Sequence, residues 1–231
     1  MKDWMHSVRT LVWKDLLQEW RSKDMLTAMF AFAILTLFIF NYAIELSPVN
    51  RAEIASGIVW VVIVFAGTLG LNRSFTAEQD QGCFDALVMA VPDVSAIYFG
   101  KMLTNWLVML FVSVLILPIY SLLYNQSLFN AGFILVLVLG AWCYSAAGTL
   151  IAGMTVQMRM RDLLLPILLF PILMPVNMAV VKAAGGILAG APLVEVLAWL
   201  VLLAAYGIIV TTVSIMRSEE HTSELQSRIT I

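Results

Sequence analysis

Residues 102–124 read MLTNWLVMLFVSVLILPIYSLLY, with no Lys, Arg, His, Asp or Glu to interrupt them. At about 1.5 Å of rise per residue, a helix of this length crosses a hydrocarbon core of about 30 Å. Lipid offers no partner to backbone N–H and C=O groups, so the segment must pair them internally, as a helix does. Working outward, five further stretches share this character in their cores: 25–44, 54–71, 131–156, 163–181 and 194–216, the last with Glu195 near one end. The predicted fold class is therefore an all-α integral membrane protein. Six transmembrane helices fill 24–216, an interfacial amphipathic helix precedes them at 1–23, and a polar tail follows at 217–231.

The composition agrees. With 61% hydrophobic residues and a mean hydropathy of +0.93, the chain has almost nothing left for a soluble domain. The formal charge of −2 says less than where the basic residues fall. Lys2, Arg9, Lys14, Arg21 and Lys23 precede the first span, Arg73 and Lys101 flank the loop after the second, and Arg159 and Arg161 follow the fourth. The alternate loops hold only Arg51 and Lys182. This bias and an even span count predict cytoplasmic termini. The first twenty residues lack the apolar run and small-residue cleavage site of a signal peptide, so the first span is expected to act as the insertion signal. Cys83 and Cys143 suit neither a metal site nor an obvious disulfide. Arg217 to Ser227 matches the translation of a common sequencing-adapter string and is expected to be non-native.

In 1–23, polar residues Asp3, Ser7, Thr10, Lys14, Gln18 and Arg21 recur at helical steps, with Met5, Val8, Val12, Leu16 and Trp20 opposite. Such a helix lies at headgroup depth, although Arg9 and Glu19 fall on its apolar side. It is either a plain anchor or an elbow that also touches a partner. Small residues spaced by four, Ala66 with Gly70, Gly148 with Ala152 and Gly186 with Gly190, predict close helix packing. The fifth span carries Pro166, Pro171 and Pro175 beside Met174, Asn177 and Met178. These prolines predict a break near mid-membrane, which serves either a substrate pathway or packing alone. The glycine-rich stretch 182–193 reads as a short re-entrant or surface piece.

The connection 72–101, NRSFTAEQDQGCFDALVMAVPDVSAIYFGK, is the most informative polar segment. An acid-rich helical start leads to Gly82, then to an amphipathic run through Phe84, Leu87 and Val88, and Pro92 breaks it before re-entry near Gly100 and Lys101. Glu78, Gly82, Leu87, Pro92, Gly100 and Lys101 here resemble the loop between spans two and three of ABC-2-type permeases.

Within that class the chain is most similar to the CcmB family, the haem exporter B proteins of cytochrome c maturation. The likeness is carried by Gly57-Ile58-Val59-Trp60, Arg73-Ser74-Phe75, Asp80-Gln81-Gly82, Asp85-Ala86-Leu87, Pro92, the run from Lys101 to Trp106, and the proline-rich fifth span. Asp85 departs from the Glu of many relatives but keeps the charge. The resemblance implies a permease that pairs with a separate ABC ATPase and joins other maturation proteins in the bacterial inner membrane, as part of an oligomeric permease. Its surroundings would be lipid, with no nucleic-acid partner. Glu78, Asp80, Gly82, Phe84, Asp85, Leu87, Pro92, Gly100 and Lys101 would form the ATPase-coupling site.

The residues themselves fit a partner-dependent machine. A phosphate-binding loop needs a glycine five positions before Gly100, where Ser95 stands, so ATP is expected on the partner subunit. The run 82–88 suits a groove on that ATPase, with Asp80 and Asp85 at a polar rim. Haem is the cargo the resemblance implies. No span holds a histidine, which leaves Met154, Met174, Met178, Cys143 and Tyr144 as contacts. Haem export and ATP-driven release of a haem-loaded chaperone both fit. The alternatives are an ABC-2 permease for a drug or polysaccharide, an ion-coupled transporter, which charge-free spans disfavour, and a non-transporting scaffold.

Overall fold

The computed structural model describes residues 2–44, 51–80, 94–125, 127–155 and 160–229; side chains are described for 4–44, 54–74, 95–125, 127–155, 160, 163–192 and 194–216. Within them lie seven helices: α1 (Lys2–Ser22), α2 (Asp24–Ala43), α3 (Arg51–Asp80), α4 (Val94–Tyr124), α5 (Ala131–Thr155), α6 (Arg161–Ala189) and α7 (Leu193–Ile229). The chain is an all-α membrane protein. Five of the helices contain a segment long and apolar enough to cross a bilayer, and the two arms of α6, Leu163–Ile172 and Met174–Ala189, bent by 59°, are long and apolar enough when taken together.

The core forms where α3 and α5 pass through the middle of the bundle. In α3, Val59, Trp60, Val62, Ile63 and Ala66 are almost fully buried, and in α5 Phe133, Val136, Cys143 and Tyr144 are too. By contrast α2 and α7 are peripheral, each burying one narrow stripe such as Met25, Met29, Ala33 and Leu37. Exposed Leu35, Ile39, Val201 and Ile208 on their outer sides suit contact with lipid tails.

Small residues set the closest approaches. A Cβ on Gly70 would strike the Met29 side chain, and one on Gly140 would strike Trp60 and Val180. Gly207 likewise makes room for the Trp142 ring. The Gly186–Gly190 pair behaves differently from the predicted helix-packing motif. Gly190 ends α6 in the left-handed region at φ 74°, with its N–H donating to Ile187 O and that of Ala191 to Gly186 O. This is a helix stop that favours glycine. The predicted re-entrant piece at 182–193 is thus mostly the last turns of α6, because the alanines and buried Ala183 and Ala184 continue the helical stripe.

The connection 72–101 begins helically, as its acid-rich start predicts, and is helical again before its end. Helix α3 runs to Asp80 and α4 starts at Val94, so the first and last parts of 72–101 are helical. Helix α1 joins α2 through Lys23, which turns the chain at φ 57°. Its carboxyl-terminal Glu19 accepts the Leu26 N–H at 2.8 Å and caps α2.

Candidate coupling site and the bent helix

Of the predicted coupling residues, Gly82, Phe84, Asp85, Leu87 and Pro92 lie outside the described residues. Glu78 and Asp80 sit in the last turns of α3, with their side chains also outside them. Gly100 and Lys101 are in the second turn of α4, and both are buried. Instead of lining an open loop, they receive α1. The Cβ position of Gly100 lies 3.1 Å from Leu11 Cβ, so the two helices touch backbone to side chain there. Lys101 Nζ is 3.0 Å from Asp15 Oδ2, with the two side chains 6% and 8% exposed. Lys14 Nζ approaches the other Asp15 oxygen at 3.0 Å from a more exposed position. A buried, ion-paired lysine within a helix is unavailable to cradle a phosphate.

This contact divides α1 into three faces rather than two. Trp4, Val8, Leu11 and Asp15 face α4, and the predicted polar stripe through Thr10, Lys14 and Gln18 stands beside them. Met5, Trp13, Leu17 and Trp20 form an exposed apolar face. Val8, expected on the same side as Met5 and Trp20, belongs to the α4 contact instead. Asp15 escaped the sequence reading, although a carboxylate in register with Trp4, Val8 and Leu11 was the available sign of a partner in another helix.

The proline-rich helix shows two kinds of surface. Pro171, Met174, Pro175 and Met178 are exposed on the outer side, and Pro166 is half-buried. Asn177 turns inward, where its Oδ1 accepts the Trp60 indole N–H at 2.9 Å. At the bend, the Tyr206 hydroxyl of α7 donates to Ile172 O at 2.7 Å. Sequence reading missed Tyr206 because nothing local marks a hydroxyl that serves a neighbouring helix.

Between α3, α4 and α5 lies a buried polar seam. The Thr68 and Tyr144 hydroxyls are 2.6 Å apart, Asn105 Nδ2 donates to Thr149 Oγ1 at 3.2 Å, and Ser145 Oγ donates to Met102 O at 2.6 Å. A cavity of about 10 Å³ beside them, bordered by Met25, Met29, Met109, Asn105 and Tyr144, has room for about one water. The proposed haem contacts do not converge. Cys143 donates to Leu203 O at 3.1 Å, towards α7, Tyr144 turns to α3, and Met154, Met174 and Met178 are exposed.

Long apolar helices around a densely packed core, joined by buried side-chain hydrogen bonds, define a multi-pass α-helical membrane protein. The family model for CcmB protein matches residues 6–219, and the chain belongs to that family. Among curated relatives, Heme exporter protein B of Rhodobacter capsulatus is 28% identical over 169 residues, covering 73% of this chain and 78% of its own. Heme exporter protein B of Pseudomonas aeruginosa is 26% identical over 196 residues, 84% of this chain and 87% of its own. The Escherichia coli K12 protein of the same name is 27% identical over 77 residues, 33% of this chain and 35% of its own.

Proposed function

We propose that this CcmB-family permease is the membrane subunit of an ABC-type complex serving haem handling in cytochrome c maturation, in the bacterial inner membrane. The observation that carries this is the family match along almost the whole bundle, together with relatives named for haem export. A separate ATPase supplies hydrolysis, and both termini face the cytoplasm with it. The segment around Gly82, Asp85 and Leu87 seats on that ATPase, between the ends of α3 and α4, and transmits its movement to both.

Of the two haem roles, ATP-driven release of a haem-loaded chaperone has the better support. Cys143 and Tyr144 are each engaged with a different neighbouring helix, while Met174 and Met178 stand on the outer side. These side chains therefore do not line one enclosed path, which release of a chaperone held by another subunit does not require.

The test is Leu87→Asp. An unpaired charge placed in an apolar contact typically costs several kcal/mol, whereas six apolar spans still insert and pack without it. The variant is expected at normal abundance in the membrane, without ATPase on purification, and without cytochrome c maturation in a complementation assay. Retention of both would show the segment to be a mere connector.

A further inference from the structure

Helix α1 is separated from α2 by one residue, yet its inner face is spent on the first two turns of α4. Four contacts line up along that seam. Trp4 Nε1 donates to Ser95 Oγ at 3.0 Å, the Trp4 and Phe99 rings lie 5.4 Å apart, Leu11 fills the space left by Gly100, and Asp15 pairs with Lys101. Three are packing or neutral hydrogen bonding. The fourth places two charges where burial makes each costly without the other.

A plain membrane anchor has no use for this pair. Its hold on the interface would come from the exposed Met5, Trp13, Leu17 and Trp20, which face away from α4. The pair instead fixes where α1 sits on the permease. Glu19 and Lys23 then tie the far end of α1 to the start of α2. We propose that Asp15 and Lys101 are positioning residues that lock α1 to the head of α4, making α1 a moving part of the permease that carries displacement of α4 to α2. The inference rests on the transport-complex reading above.

Two measurements test it. In a Cys83→Ser/Cys143→Ala background, Leu11→Cys with Gly100→Cys puts two Cβ atoms near disulfide range, and an added oxidant reports how often α1 lies on α4. Cytochrome c maturation is read separately in chains without the added cysteines. Asp15→Asn is expected to slow cross-linking and to lower maturation, each by at least about tenfold, and Asp15→Glu to retain both. Where Asp15→Asn lowers membrane abundance, Asp15→Asn with Lys101→Met removes both charges and is expected to give the same two losses.

Unchanged cross-linking would show that the pair does not position α1. Slowed cross-linking with intact maturation would reduce α1 to an anchor, and either result overturns the proposal. Failure of the unmodified chain to support maturation would strike the transport-complex reading instead.

Discussion

Asp15 and Glu19 are the acids that an amphipathic reading of α1 leaves unexplained, and each has a partner beyond the helix. Asp15 meets Lys101, and Glu19 accepts the Leu26 N–H at the start of α2. A carboxylate there satisfies an otherwise orphaned donor and complements the positive end of the helix. Glu19→Ala should therefore cost about 1 kcal/mol, which for a chain of this size lowers the unfolding midpoint in detergent by roughly 2–4 °C. Glu19→Gln should lose less, because its amide oxygen still accepts. An unchanged midpoint in Glu19→Ala would show that the cap contributes nothing. Periodicity within α1 places Thr10, Gln18 and Arg21 of its polar stripe in exposed positions, but residues whose purpose lies in another helix have no periodic mark. The same applies to Trp60, quoted for its family likeness, whose bond to Asn177 depends on how α3 and α6 cross.

At the scale of the element, α6 was the easiest break to foresee and the hardest to place. Proline has no N–H to give the carbonyl four residues back, so Pro166, Pro171 and Pro175 each open the helical ladder. Sequence predicts the break; the 59° bend between Ile172 and Met174 is its outcome. What holds the bend is not written in α6. Tyr206 reaches across from α7 to Ile172 O, in a setting where lipid cannot supply a donor. Tyr206→Phe keeps the ring and removes only that bond. Its expected cost is about 0.6 kcal/mol and at most about 1.7 kcal/mol, the range for such bonds between membrane helices. The loss should appear as increased mobility of spin labels placed at exposed Leu168 and Met174, with labels on α3 unaffected. Equal mobility at both positions in Tyr206→Phe would mean that the prolines alone set the bend.

For the whole molecule, apolar length located the five single-helix spans and the bent pair, and the structure extends α3, α4, α6 and α7 beyond the predicted limits by helical turns that are too polar or too small to register as hydrocarbon-spanning. The remaining question of topology is whether α6 crosses the bilayer or turns back within it. At about 1.5 Å per residue its arms measure about 15 Å and about 24 Å. A 59° bend still carries the chain forward, leaving about 34 Å from end to end, enough for a core of about 30 Å. A return to the same side would need the second arm to run nearly against the first. Six crossings, with basic residues gathered at alternate ends, predict both termini in the cytoplasm. Reporter fusions after Pro48, Gln126 and Ala191 should therefore report the periplasm, and fusions after Gln81 and Met160 the cytoplasm. Ala191 is the deciding site, because it follows the glycine stop of α6 and does not interrupt a helix as a fusion at Gly186 would. A cytoplasmic signal at Ala191 with a periplasmic one at Gln126 would make α6 re-entrant, reduce the crossings to five and move the carboxyl terminus to the periplasm.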